Sequence, residues 1–358
     1  MMDVKGLTAT IIFEAQSLNF DEGYGSNLSV IKKLHRGNGE VYSYSSRQSL
    51  RYSIFLQGVK EFRWIPSNVR RSGENKTVIQ LTSSIQESQE SDLFGYFQTD
   101  IDISEGLKKA ASLSRTSPVR IMPAISLEPF SSDMEMLTNK YQADKKKFQS
   151  NIANFENHRS LYCYSICIDL HRVGTEEDRI GTRFSPNVET TEKDPNKSKY
   201  DSFEQKLHDS KITFEERSNR VCQFLEIVGR LYRDIRGRRE DLTPLFIIGG
   251  VYDTLNPFFE NAINLEWIRK GMRPKINTTL LKGSLERKYI LADKERFVKD
   301  DTFIGIADGF YSNSSSDFDS YYINNDIKKH IGSPQFAIEQ MKRKVIEYYN
   351  SRIDLLRN

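Results

Sequence analysis

The stretch from Arg36 to Leu56, Arg36-Gly37-Asn38-Gly39-Glu40-Val41-Tyr42-Ser43-Tyr44-Ser45-Ser46-Arg47-Gln48-Ser49-Leu50-Arg51-Tyr52-Ser53-Ile54-Phe55-Leu56, joins a glycine loop, a helix start and a cationic helix face. Ser45 followed three residues later by Gln48 matches a capping box, in which both side chains satisfy backbone N–H groups at the start of a helix. The helix therefore begins near Ser45 or Ser46. Leu50 and Ile54 lie four apart and form a core-facing stripe, while Arg47 and Arg51, also four apart, project from another side. A helix start favours phosphate through unpaired N–H groups and partial positive charge, and Arg47, Gln48 and Arg51 add directional donors. The chemistry expected is that of a phosphate holder. An ordinary capped surface helix with solvated arginines would carry the same residues.

The elements that must position this helix are strands and a second helix. Thr8 to Leu18 alternates as a strand, with Ala9, Ile11, Phe13 and Ala15 on one face and Thr10, Ile12, Glu14 and Gln16 on the other, so one face is expected in the core and the other open to a ligand. It leads into Leu18-Asn19-Phe20-Asp21-Glu22-Gly23-Tyr24-Gly25, a loop composition that suits close approach of another backbone. No Gly-Lys-Ser/Thr follows those glycines and no Gly-x-Gly-x-x-Gly occurs there, which argues against nucleotide hydrolysis and hydride transfer. A second core strand is expected over 118–128, broken or edged by Pro123, and a third over 161–170. A helix is expected over 214–235, followed by a continuous apolar strand over 245–252. The arginines at that helix's end, Arg230, Arg233, Arg236, Arg238 and Arg239, suit a helix C-terminus by dipole alone. A C-terminal helix is expected over 334–356.

With 358 residues, 28% charged and 37% apolar, the chain has a soluble composition and can bury a substantial core. No run is long enough to span a bilayer and the first residues do not read as a secretory leader, so a cytoplasmic protein is expected. The net charge of +3 excludes a basic polyelectrolyte, so any nucleic-acid contact must come from local clusters. Cys163, Cys167 and Cys222 read as core thiols. Five histidines, at 35, 158, 171, 208 and 330, offer no metal-ligand spacing, and no metal or cofactor is expected.

Stripped of insertions, the order strand, helix, strand, strand, helix, strand is the split βαββαβ of α+β ferredoxin-like folds, which RNA-recognition motifs share. Aromatic RNP sequences are absent, so base stacking on the sheet face is not supported. Several separated motifs resemble one family: Ile12-Phe13-Glu14-Ala15-Gln16-Ser17-Leu18-Asn19, Arg36 to Tyr42, Ser46 to Tyr52, Leu137-Thr138-Asn139-Lys140, Tyr232 to Phe246, and Asn256-Pro257-Phe258-Phe259-Glu260-Asn261. In order, over about 7–261, they resemble the DevR-type backbone subunit of the type I-B CRISPR interference complex, Cascade.

The resemblance implies a ferredoxin-like (RRM-like) palm carrying large finger and thumb insertions. Residues 1–59 would open the palm, 60–114 form a finger-like insertion, 115–130 a palm strand, 131–160 a thumb-like insertion and 161–172 a palm strand. Residues 173–212 would be loop, 213–252 the palm helix and strand, and 253–358 a C-terminal extension. It implies a non-catalytic subunit whose copies polymerise along guide RNA, holding its sugar-phosphate backbone and presenting bases to target DNA, alongside other Cascade subunits. Asn19, Ser46, Gln48 and Arg51 match the family's RNA-holding segments, whereas Arg36, Asn38 and Arg47 are assigned from local chemistry. Lys140, Lys145, Lys146 and Lys147 are thumb contacts by their place in the chain, although Arg159-Ser160 departs from the family's pattern after the thumb. The rival readings are a ribonuclease on the same fold, with Asp21, Asp169 or Asp241 as acids, and a stand-alone RNA-binding regulator.

Overall fold

The central strand of the fold, β1 (Gly6–Gln16), is buried along nearly its whole length because both of its faces meet apolar layers. The computed structural model describes residues 5–16, 18–21, 27–72, 78–99, 112–175, 212–266, 273–291, 294–313, 317–318 and 327–357. Most of the loop expected over 173–212, and residues 22–25 of the glycine-bearing loop, lie outside these. The architecture is a mixed α+β arrangement of sheets with few helices.

After β1 come the short strands β2 (Phe20–Asp21), β3 (Leu28–Ile31), β4 (Lys33–His35) and β5 (Val41–Ser45), and then helix α1 (Arg47–Phe62). The next segment holds β6 (Val69–Ser72), β7 (Val78–Leu81), α2 (Gln89–Phe94), β8 (Tyr96–Thr99) and β9 (Ser112–Arg115), with β6 pairing β7 and β8 pairing β9. The strand expected over 118–128 is two strands, β10 (Val119–Ile121) and β11 (Ala124–Ser126), parted at Pro123, which has no N–H for a ladder. Then follow β12 (Asp133–Thr138), α3 (Lys140–Asp144), β13 (Ile152–Asn157) and the eleven-residue β14 (Arg159–Asp169). Helix α4 (Phe214–Gly229), β15 (Tyr232–Ile235), β16 (Arg238–Asp241) and β17 (Phe246–Tyr252) complete this part.

The remainder contributes β18 (Leu265–Glu266), β19 (Lys275–Ile276), α5 (Thr278–Leu285), β20 (Lys288–Leu291), β21 (Lys294–Phe297), β22 (Thr302–Ile306), α6 (Ile327–His330), β23 (Ile331–Gly332) and α7 (Pro334–Arg357). In the main sheet the strands run β23-β22-β17-β1-β14-β11-β5-β4, and β10 also pairs β14. On one face Ala9, Ile11, Phe13 and Ala15 of β1 pack with Leu50 and Ile54 of α1, Phe224 and Leu225 of α4, and Met341 and Tyr349 of α7. The other face was expected to meet a ligand. Instead Ile12 is buried with Phe246 and Ile248 beneath Phe258, Phe259, Leu281 and Phe318, because residues beyond 252 supply a second apolar layer.

A second correction concerns α4. It ends at Gly229, six residues short of the expected helix, and 232–241 form the antiparallel hairpin β15–β16. Its turn residues Arg236 (φ +50°) and Gly237 (φ +78°) both have positive φ, the geometry of the tight turn whose twist matches paired strands. A further sheet, β12-β13-β3-β2, includes a hairpin whose outer strand β12 is exposed at all six positions, and α3 sits at its tip.

The segment between α1 and β10 is fastened by one buried carboxylate. Asp92 of α2 is 0% exposed and accepts hydrogen bonds from Arg115 (2.6 Å) and from the Gly174 N–H (2.9 Å) on one oxygen, and from Arg220 (2.8 Å) on the other. Arg115 also donates to the carbonyls of Asp92 (3.0 Å) and Arg172 (2.8 Å), and Arg220 to that of Ile85 (2.8 Å). A buried charge is tolerated only when its lone pairs and counter-charges are supplied in this way. Asp92→Ala is therefore expected to lose about 3–5 kcal/mol of folding free energy in urea titration, because it leaves the buried Arg115 guanidinium without its anion and Arg220 with Glu216 alone; a loss below about 1 kcal/mol would contradict the anchoring role.

Candidate nucleic-acid interface

The start of α1 is built by residues from three parts of the chain. Ser46 is its N-cap in extended geometry (φ −65°, ψ 153°), and its hydroxyl oxygen accepts from the Ser49 N–H at 3.3 Å and from the Asn19 amide at 3.1 Å. The expected capping box between Ser45 and Gln48 does not form. Ser46 rather than Ser45 is the cap, so the residue three further on is Ser49, and Gln48 points to solvent. The Ser45 side chain is buried and donates to the Ser49 hydroxyl at 3.2 Å. From the other side Arg233 of β15 donates to the Ser49 carbonyl at 3.1 Å, to the Ser49 hydroxyl, and to the Ser53 hydroxyl at 3.2 Å. Burial lowers the Arg233 pKa from its ordinary value.

Leu50 and Ile54 are fully buried, as the stripe required, which turns Arg47 and Gln48 outward at the first turn. First-turn N–H groups have no partner within the helix, so an anion placed there meets backbone donors, the dipole and the Arg47 guanidinium together. Arg51 is placed differently. Its guanidinium lies 4.9 Å from the centroid of the Phe94 ring and 3.9 Å from the Glu90 carboxylate, and burial lowers its pKa. It joins α1 to α2 instead of standing beside Arg47.

Arg36 and Asn38 occupy the β4–β5 turn, four strand steps or roughly 13 Å beyond the Ser45 end of β5. Arg36 stacks over Tyr42 at 4.6 Å. The Asn38 amide (2.9 Å) and the Tyr42 hydroxyl (2.5 Å) both donate to Glu40, whose pKa is lowered first by the Tyr42 bond and then by Asn38. Arg36 lines a cleft of about 350 Å³ with Glu260 and Asn261, away from the start of α1.

Lys140 opens α3, Lys145 stacks over Tyr141 at 4.5 Å, and Lys147 adopts the left-handed conformation (φ +54°). With Lys146 all are exposed at the hairpin tip, beside the exposed Tyr141 and Phe148. The carboxylates weighed as acids lie on three separate elements, Asp21 on β2, Asp169 at the end of β14 and Asp241 at the end of β16, where Asp241 accepts from the Thr243 N–H at 2.9 Å. Among the described residues no three His, Cys, Asp or Glu side chains are grouped to hold a metal. Burial pushes the Cys163 thiol up to about 12 and the Cys167 thiol to about 11.

The residues that sequence reasoning missed are on the β15–β16 hairpin. Besides Arg233, Arg238 donates to the Gln16 carbonyl at 3.3 Å and Glu240 accepts from the Gln16 N–H at 3.1 Å, joining the hairpin to the end of β1. The available signal was Arg236-Gly237, a glycine-bearing pair of the kind that turns a hairpin, in the middle of the run from Tyr232 to Asp241.

The sequence model of a family described as "CRISPR-associated negative auto-regulator DevR/Csa2" matches residues 7–266. No curated protein matches the chain. Among solved structures, a chain of "CRISPR RNA-guided surveillance complex, pre-nicking" is 10% identical, with 95% of this chain and 100% of that chain covered and a TM-score of 0.51. A chain of "CRISPR RNA-guided surveillance complex" is 11% identical over 95% of this chain and 99% of that one, with a TM-score of 0.49. Among the described residues no helix is long and apolar enough to cross a membrane.

Replacing the cap in Ser46→Ala is expected to lower stability by about 1 kcal/mol in urea titration, while Gln48→Ala stays within about 0.5 kcal/mol of the parent. Equal losses in the two variants would contradict the assignment of Ser46 as the sole cap.

Proposed function

This chain belongs to the CRISPR-associated DevR/Csa2 family, and from that premise we propose that it is the non-catalytic backbone subunit of a type I-B interference complex, Cascade. Copies line up along a guide RNA, hold its sugar-phosphate backbone and leave its bases free to pair with target DNA, in company with other Cascade subunits in the cytoplasm. The observation that carries this reading is the start of α1. Asn19 and Arg233 lock Ser46 and Ser49 from two sides, and the first turn faces outward with Arg47 and Gln48.

The strand order β17-β1-β14-β10/β11, with α1 between β1 and β10 and α4 between β14 and β17, supports a ferredoxin-like palm. In this reading residues 60–114 are the finger and 131–160 the thumb, whose tip lysines Lys140, Lys145, Lys146 and Lys147 meet the guide or target strand. The exposed Met134, Met136, Tyr141 and Phe148 of that hairpin give it the apolar surface a neighbouring copy would cover. Asn19 and Ser46 shape the helix start, Arg47 and Gln48 contact phosphate, and Arg51 braces α1 against α2. Arg36 and Asn38 form a separate contact at the β4–β5 turn. Because base pairing supplies sequence discrimination, the protein needs backbone contacts alone.

Arg47→Ala is expected to weaken guide-RNA binding about tenfold, by the same factor for unrelated guide sequences, and to lower its salt dependence, as measured by fluorescence anisotropy. A loss confined to one guide sequence would contradict backbone holding.

A further inference from the structure

The tip of the β15–β16 hairpin carries an arginine whose hydrogen-bonding capacity is unspent. The Arg236 guanidinium lies 5.0 Å from the ring centroid of Phe20 and 4.9 Å from that of Phe155, and the residue is exposed. Among the described residues it makes no hydrogen bond or ion pair. Its neighbours differ. Arg239 is doubly bonded to Asp234 (2.7 and 3.0 Å), Arg238 reaches the Gln16 carbonyl and Glu240, and Arg230 bridges Glu61 (3.1 Å) and Glu226 (3.6 Å). A guanidinium held beside two aromatic rings has its position restricted while its N–H donors stay free, a preorganised arrangement for an anion with several oxygens.

Location says which anion. Phe20 follows Asn19, whose amide bonds the Ser46 cap, so Arg236 and the start of α1 are joined through two consecutive residues. Phe155 belongs to β13, the strand that returns from α3 and the Lys145 to Lys147 tip. Arg236 thus stands between the α1 start and the root of the β12–β13 hairpin. The backbone there is left-handed, unfavourable for a residue with a Cβ, and is occupied by arginine where asparagine or glycine is usual. Cations placed along the path of the backbone are the usual means of holding single-stranded nucleic acid without reading its sequence.

We infer that Arg236 forms a second phosphate site, holding the single-stranded RNA as it leaves the α1 start toward the root of the projecting hairpin. The inference rests on the RNA-holding function proposed above and adds a contact from an element that function did not require. The Phe20 and Phe155 rings hold the guanidinium in place, and its fork donates to the phosphate oxygens.

The test uses the full chain with two single-stranded guide RNAs of unrelated sequence, titrated by anisotropy at several salt concentrations. Arg236→Ala is expected to lower affinity about tenfold for both RNAs and to reduce the slope of log affinity against log salt by about 0.7, the value of one lost phosphate contact on a single strand. Arg236→Gln, which keeps a planar group over the rings, is expected to show the same loss of slope and carries the test if Arg236→Ala does not fold. Arg236→Lys keeps the slope with reduced affinity, and Arg239→Ala, already paired with Asp234, binds as the parent. Parental affinity and slope in both Arg236→Ala and Arg236→Gln would overturn the inference and leave Arg236 a structural clasp over the two rings. Failure of the parent chain to bind either RNA would overturn the RNA-holding function itself, a result read without any variant.

Discussion

A carboxylate sealed from water must be neutralised where it lies, and Asp92 is neutralised by cations from the two parts of the chain it joins. Arg115 comes from the end of β9 and Arg220 from α4, so the segment after α1 cannot shift on the core without exposing or stranding a charge. With Asp92 fixed, α2 is fixed. Phe94 and Glu90 then stand where Arg51 lies against them, and α1 gains a lateral support beyond its apolar stripe. The site therefore depends on an interaction that takes no part in it. Coulomb attraction in a dry interior sets a geometry that the surface residues use.

What that geometry produces is a helix start with few degrees of freedom left. Asn19 holds the cap from the end of β1, and Arg233 holds the first two turns from the β15–β16 hairpin. Both holders bond to groups on the inner side of α1, which leaves the outward donors of the first turn for a ligand. This division of labour matches a partner recognised through a repeating backbone, since rigid donors at fixed spacing suffice when no base has to be read.

Much of this was legible in the sequence because it rests on local periodicity. The stripe of Leu50 and Ile54 placed α1, the apolar run from Leu245 placed β17, and the alternation from Thr8 placed β1. The N-terminal cap was off by one residue, since Ser45 and Ser46 have the same chemistry and only the contacts of Asn19 and Ser49 separate them. Residues 230–235 differ from the expected helix because Leu231, Tyr232 and Ile235 fit a helical spacing and a hairpin equally well, and the turn at Arg236-Gly237 decides the matter. Arg36 and Arg51 were grouped with Arg47 by proximity in sequence. The run of β5 carries the first away, and Phe94, more than forty positions distant, draws off the second. The covering of the second sheet face by Phe258, Leu281 and Phe318 is a long-range event with no local pattern.

Copies of a backbone-holding subunit should add along RNA one after another. The most direct measurement of this is native mass spectrometry of the purified protein, with the other complex subunits present, on guide RNAs of increasing length. Bound copies are expected to rise by one at each regular increment of length, whatever the sequence. A single copy at every length would contradict it.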